Sequence, residues 1–446
     1  MKKKYAQIFS RVTSHEFVEL FSDKPYAYFS LSVLFSQIAF NMLSVVLIFL
    51  VFFLTSSNFS VSILVLTILL PQILLSFIGG VVADISNKRG ILIGGNLLRA
   101  LVLMLLFFNN KSVVLIYLVS VITSSITQFY VPAETPLIPA LVKKNHLIAA
   151  NSIFGIGLFG SILVGYVLAG PAITTLGRSF VFLILSALFL LASFFAFLIP
   201  VGIEKKKERE ERIDVSVRRS IRQEFRQSIS ILKNSAGLTG AFFLLVFSQV
   251  IILVLATLVP GYAKSILQVP AESLSIILFA PAAIGMIISA LFISTLFKNR
   301  NKNTLMSIGV LISGFVLFFF PLTSRILTRG FVIFINTLLP QNTQIDTYHI
   351  VLILAFLAGF ANALIFVPSQ AIIQEAIPAS FRSKIYGLLF ALIGVFSLFP
   401  IIVTGTIADI LGVGTVLILL GIIVFITGIV RLEFRKIIKF AVKKTI

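Results

Sequence analysis

Apolar runs of about twenty residues, broken by short polar stretches, recur from end to end of the chain. Wound as helices, such runs cross a hydrocarbon layer of about 30 Å. The pattern predicts spans near 28–54, 60–83, 91–108, 112–131, 147–169 and 179–200. A second set follows near 237–260, 273–297, 304–321, 350–373, 385–407 and 413–432. Twelve spans make an all-α membrane protein with both termini on one side. The first run, from Tyr26 to about Leu54, is too long for a signal-peptide core and lacks a small-residue cleavage site, so it reads as a retained span. The stretch GFVIFINTLLP between spans nine and ten is too short to cross and reads as an interfacial lid.

Composition agrees with this solvent. Of 446 residues 58% are hydrophobic and 12% charged, against about a quarter charged in soluble proteins. The net charge of +20 would suggest nucleic acid in a soluble chain, but its placement argues otherwise. Thirty of the 36 Lys and Arg fall on the side of the N-terminus, five on the other, and Arg99 lies inside a span. Lys and Arg stay cytoplasmic, so both termini are expected in the cytoplasm of a bacterial-type plasma (inner) membrane, and the charge sets topology without a nucleic-acid partner. The chain has no Cys, and its three His (15, 146, 349) are scattered, which leaves no candidate metal site. No Gly-rich phosphate loop ending in Gly-Lys-Ser/Thr appears, so the chain does not read as an ATP-driven pump or other enzyme, and no cofactor is implied.

The long charged segment EKKKEREERIDVSVRRSIRQEFRQSISILKN (204–234) follows the sixth span. It divides the chain into an N-terminal six-helix bundle (1–203), a linker (204–236), and a C-terminal six-helix bundle with a basic tail (237–446). Ile213, Val217, Ile221, Phe225, Ile229 and Leu232 form one apolar stripe along it, as in a basic helix lying on the inner membrane surface; a solvated linker is the alternative. The halves echo each other. FYVPAETPLIPAL begins at 129 and IFVPSQAIIQEAI at 365, with Pro132 and Pro368 in register, and the breaks after the fifth spans read TLG and ILG. Two pseudo-symmetric bundles follow, related by an axis along the membrane normal.

The stretch GGVVADISNKRG (79–90) puts Asp84 at the inner end of span two, with Lys88 and Arg89 in the turn before span three. A carboxylate at a membrane boundary is costly unless it meets donors. It either meets them in one of two conformations, biasing an equilibrium, or it belongs to a charged turn that sets topology.

These residues resemble the signature that the major facilitator superfamily carries between its second and third spans: a Gly-rich helix end (Gly79, Gly80), Ala-Asp, then a basic turn. VPAETPLIPALVKKNHLIAANSIFGIGLFGSILVG (131–165) is similar to the Pro-rich loop and fifth span of the drug-efflux and siderophore-exporter, macrolide-efflux-like branch, and GGNLLRALVLML (94–105) resembles its third span. The resemblance covers nearly the whole chain. It implies two bundles rocking about a central cavity so that one site faces each side in turn. It also implies that Asp84 latches the cytoplasmic gate against the start of span eleven, near Ser383 to Tyr386, with Lys88 and Arg89 assisting. The corresponding turn in the second half, STLFKNRNKN, has no Asp, so any latch is asymmetric.

Polar residues inside spans are the cavity candidates. Gln37, Asn41 and Ser44 share a face of span one, and Ser120, Ser124 and Gln128 a face of span four. Gln249 lies in span seven, and Asn362 and Gln370 in span ten; for each of these the alternative is an interhelical hydrogen bond. Asn96 and Arg99 lie in span three. Arg99 is some eight residues deep, where insertion costs about 2.5–3.5 kcal/mol or more, so it holds an anionic group or bonds neighbouring helices. Gly155, Gly157, Gly160 and Gly165 of span five read as close helix packing, and Gly170-Pro171 as its end.

Three departures from the branch bear on energetics. The acids often present near Asn41 and Asn96 are amides here. The Gly-Pro step of antiporters reads Gly160-Ser161. Asp84, Glu134, Glu375 and Asp409 all fall at the ends of spans. The leading reading is a monomeric secondary transporter that exports amphipathic or hydrophobic small molecules, with protons as the coupling ion the resemblance implies. A lysophospholipid or lipid flippase, or a siderophore-like anion exporter using Arg99, is the alternative on the same fold; a non-transporting receptor or scaffold is the alternative from another class.

Overall fold

The computed structural model describes residues 20–200, 236–324 and 346–444, apart from 21, 144–145, 298–299 and 378, together with a few positions between these blocks. The basic N-terminus, nearly all of the 204–234 linker, and most of the lid-like stretch lie outside the described residues. Twelve long helices follow in order: α1 Lys24–Thr55, α2 Asn58–Ile85, α3 Lys88–Phe108, α4 Val113–Glu134, α5 Leu147–Leu176, α6 Phe180–Leu198, α7 Ala236–Tyr262, α8 Ala280–Ser294, α9 Lys302–Phe319, α10 Thr347–Ala376, α11 Ala379–Leu411 and α12 Val413–Lys444. Twelve stretches of the described residues are long and apolar enough to cross a membrane, and no strand occurs among them. Each overlaps one expected span, and the fourth, fifth and seventh run on past their expected ends, to Leu141, Leu176 and Leu267. The eighth is assembled from several turns, Ala271–Ser273 and a π-helical turn Ser275–Phe279 leading into α8.

The starts of these helices are set by short polar side chains. Asn87 accepts from the Gly90 amide at the head of α3, Ser112 from Leu115 at the head of α4, and Asp346 from His349 at the head of α10. Each satisfies an amide that the helix itself leaves without a partner. Prolines do not end the helices. Pro132 lies inside α4, Pro368 inside α10 and Pro171 inside α5. The expectation that Gly170-Pro171 closes span five is therefore corrected: α5 runs on to Leu176 and stops at Gly177. Within the bilayer a proline is tolerated inside a helix where polar groups and local adjustment re-satisfy the backbone.

Two packed units emerge, one of residues 1–50 and 67–214, the other of 51–66 and 215–446. In the first, α3 packs against α4 and α6; in the second, α9 packs against α10 and α12. The third helix of each set thus meets the fourth and sixth of its own set. The second and fourth helices also meet in each unit: a Cβ on Gly79 of α2 would lie 1.9 Å from the Gln128 carbonyl oxygen of α4, and one on Gly359 of α10 would lie 1.8 Å from that of Ala282 in α8. The repeated break is mirrored in the backbone as well. Gly177 of TLG and Gly412 of ILG both have φ of 84°, a backbone angle that glycine adopts readily and other residues rarely do.

In the first unit α5 lies against α1 at Gly165, whose missing Cβ would stand 2.8 Å from the Met42 nitrogen and 2.9 Å from Asn41 Cβ. Gly155, Gly157 and Gly160 face open space instead, so close packing by span five falls to Gly165. Gly165→Leu should destabilise the detergent-solubilised protein by about 1–3 kcal/mol through overpacking, whereas Gly160→Ala should not. Thermal melts followed by circular dichroism at 222 nm would check both.

Candidate functional site

Asn96 and Arg99 sit three residues apart on α3, so both point the same way, into the first unit, and both are buried. Arg99 is 1% exposed. Its Nη1 donates to Ser36 Oγ of α1 at 3.1 Å and to Asn96 Oδ1 at 3.3 Å, and Nη2 donates to Thr127 Oγ1 of α4 at 2.9 Å. Ser36 donates to Asn96 Oδ1 at 2.8 Å, and Asn96 Nδ2 to the Tyr130 hydroxyl at 3.3 Å. Three aromatic rings surround the guanidinium: Tyr130 at 4.5 Å, Phe189 at 5.5 Å and Phe40 at 5.8 Å. A desolvated cation over such faces gains about 2 kcal/mol. Arg99 Nε has no hydrogen-bond partner.

One helical turn beyond Tyr130, Glu134 faces the same interior at 2% exposure. It is the last residue of α4, at the end of the span as expected, and its side chain is buried there. α4 passes Pro132 and is prolonged by the turn Thr135–Leu137 and the short helix Ile138–Leu141, which keeps Glu134 inside an apolar stretch running from Val113 to Leu141. Its hydrogen bond, from Gln37 Nε2 of α1, is long at 3.4 Å. Arg99 lies within electrostatic range but forms no direct ion pair with it. A buried cation held by neutral groups, beside a weakly bonded carboxyl, is an arrangement able to take up or release a proton without breaking a rigid pair.

The structure gathers Gln37, Asn96 and Arg99 into this cluster. Asn41 instead donates to the Gln37 carbonyl of its own helix. Ser124 was expected to line a cavity, but it is buried and donates to the Ile68 carbonyl of α2 at 2.6 Å, which makes it an interhelical tie. Gln128 turns back to the Ser124 carbonyl. Gln249, Asn362 and Gln370 belong to the second unit; each is partly exposed, and Gln370 accepts from the Tyr386 hydroxyl.

Of the basic-turn motif, Gly79 is the close approach to α4, Gly80 faces open space, Lys88 begins α3, and Arg89 Nη2 donates to the Phe197 carbonyl at 2.6 Å with its guanidinium over the Phe197 ring. The side chains of Asp84 and Ser383 lie outside the described residues.

Three members of the cluster, Ser36, Thr127 and Tyr130, escaped the sequence reading, and Glu134 entered it only as a carboxylate at the end of a span. The signal was present. Thr123, Thr127, Tyr130 and Glu134 recur at helical spacing, one face round from the Ser120, Ser124 and Gln128 stripe. Arg99→Met should lower stability by about 3 kcal/mol, because it leaves Asn96, Ser36 and Glu134 buried without their cationic partner. Arg99→Lys should recover less than half of that loss, since an ammonium cannot make the same fork of donors; thermal melts of both variants are the measurement.

The model of the Major Facilitator Superfamily matches residues 29–339. The uncharacterized MFS-type transporter YfiS of Bacillus subtilis (strain 168) is 24% identical over 394 residues, 86% of this chain and 87% of the relative. The uncharacterized MFS-type transporter YkuC of the same organism is 28% identical over 270 residues, 56% of this chain and 59% of the relative. Among solved structures, the nucleoside transporter NupG superposes with a TM-score of 0.68 at 12% identity, covering 92% of this chain and 99% of that one. A POT family transporter in complex with 5-aminolevulinic acid follows at 0.65 and 13%, covering 92% and 95%. At such identities the likeness concerns the fold. With most of its length matched by the family model and twelve membrane-crossing helices, the chain belongs to the Major Facilitator Superfamily and is a multi-pass membrane transporter.

Proposed function

We propose that the protein is a secondary exporter of amphipathic or hydrophobic small molecules in an inner membrane, coupled to protons through Glu134. It works by alternating access of two six-helix bundles, 1–203 and 237–446, joined by a linker at 204–236, with both termini in the cytoplasm. It acts as a monomer. The observation that carries the reading is the buried cluster of Glu134, Arg99 and Gln37 in the first unit. Proton-driven transport needs a titratable group inside the membrane, and among the described residues Glu134 is the acid whose side chain is buried there.

Substrate class follows from what the cluster leaves over. Arg99 is occupied by Ser36, Asn96 and Thr127 and enclosed by aromatic rings, so it is not presented to an anionic substrate. That favours amphipathic or uncharged cargo over a siderophore-like anion. The nucleoside and 5-aminolevulinic acid named for the structural neighbours are polar, and at 12–13% identity they do not bear on the cargo here.

The test is accumulation of a panel of fluorescent amphipathic dyes in efflux-deficient bacteria expressing the protein, with and without a protonophore. At least one dye should accumulate less than in empty cells, and the protonophore should abolish the difference. Equal accumulation of every dye, with membrane expression confirmed, would sink the exporter reading and direct attention to lipid substrates. In proteoliposomes, Glu134→Gln should reduce efflux driven by a pH gradient about tenfold or more while leaving dye binding within about twofold, because a proton-carrying group contributes to coupling and not to cargo contact. Gradient-driven efflux at the wild-type rate would remove Glu134 from the mechanism.

A further inference from the structure

The turn between α1 and α2, residues 56 and 57, lies at the membrane face opposite the N-terminus. The adjoining residues 51–66 pack with the second unit, while the rest of α1 and α2 packs with the first. What holds them there is Asp409, two residues from the end of α11. Its Oδ1 accepts from the Asn58 amide at 2.7 Å and from Asn58 Nδ2 at 2.9 Å; its Oδ2 accepts from Ser57 Oγ at 2.6 Å and from the Phe59 amide at 3.1 Å. Both carboxylate oxygens are thus engaged with the first turn of α2. That turn carries amides with no acceptor within their own helix and the positive end of a 28-residue helix.

The surroundings close tightly about this contact. Ser62, one turn further along α2, donates to the Ile401 carbonyl of α11 at 2.8 Å. A Cβ on Gly405 would stand 2.1 Å from Ser62 Oγ, and one on Gly261 of α7 would stand 2.3 Å from Asn58 Oδ1, so glycine alone lets the backbones come this near. Lys264 Nζ donates to Ser56 Oγ at 2.9 Å, holding the turn from the other side. Ser56 has φ of 52°, a left-handed conformation that a serine adopts at some cost.

We propose that Asp409 is the clasp of a gate at the membrane face opposite the N-terminus: it holds the start of α2 in one state of the transport cycle and releases it in the other. The inference rests on the alternating-access reading above. In such a cycle residues 51–66 must part from α11 whenever the site opens to that face, and the four hydrogen bonds of Asp409, with that of Ser62 to Ile401, then exchange for water. Asp409 is a positioning residue and touches no cargo. A short, partly hydrated carboxylate suits this role, because water can take over its bonds when the gate opens.

The absence of native cysteine makes the test direct. Val61, buried beneath the clasp at 0% exposure, is replaced by cysteine, and its reaction with a membrane-impermeant maleimide is timed in intact cells and inverted vesicles. Asp409→Asn, which keeps the shape and loses the charge, should speed labelling from the face opposite the N-terminus about tenfold, and Ser57→Ala, which removes one donor, about threefold, as expected for losing charge-assisted bonds to a helix start. Labelling from the other face should not rise. Unchanged labelling in both variants overturns the clasp, even where Asp409→Asn lowers the melting temperature, since a purely structural cap would move stability and leave one-sided access alone. Labelling reads the gate without any cargo, so failure of the dye panel and failure of the clasp are separate results.

Discussion

Hydrocarbon offers no hydrogen-bond partner, and every polar atom within this chain's spans is arranged around that fact. The backbone answers by being helical throughout the membrane. Hydroxyl side chains answer by folding back on their own helices: Ser44 to the Phe40 carbonyl, Thr123 to Val119, Ser125 to Val121, Thr404 to Pro400. Others tie helices together, as Ser32 does to Ala192 and Ser186 to Ala100. Each tie is worth only about 0.6–2 kcal/mol. Glycines supply the rest by letting backbones touch, as at Gly165 against α1 and Gly359 against α8.

Against that background Arg99 is an exception that needs an explanation. A guanidinium deep in a bundle must find acceptors for a fork of N–H groups, and here neutral oxygens and ring faces meet it, with no direct carboxylate. Direct pairing with Glu134 would compensate the charge but fix both groups in one geometry. The arrangement present leaves the carboxyl with a long bond to Gln37 and an attraction to Arg99 at a distance. It is therefore the acid in this interior whose state can change with little rearrangement of its neighbours.

The sequence was legible where the governing period was long. Twelve apolar runs, a charged break after the sixth, and repeated Pro and Gly positions specified the helices and the internal repeat, and the repeat extends to the matching positive φ of Gly177 and Gly412. Finer placement was not legible, because a helix surface turns by about 100° per residue, and a choice between neighbouring polar stripes needs the partner helix. On α4 Ser124 turns to Ile68 of α2, while Thr127, Tyr130 and Glu134 lie on the side of Arg99. The burial of Glu134 was not legible for a second reason: α4 runs past Pro132 as far as Glu134 itself, because a proline inside a membrane helix does not stop it. Pro171 misled in the same way.

The few carboxylates of the chain divide by the number of donors that meet them. Glu375 pairs with Lys302 at an exposed surface, and Asp346 caps α10. Both sit in water, where such contacts contribute little beyond local order. Asp409 has four donors from one helix start, all arriving from a segment whose remaining length packs elsewhere. Such a contact is strong as a whole and releases as a whole, which is what a two-state element requires. Glu134 has one weak donor and a cation out of reach. A carboxylate met by four donors has one favoured geometry; one met by a single amide is held far less firmly. The same functional group is thus held rigidly at one fold position and loosely at the other, and the difference lies in the donors each position supplies.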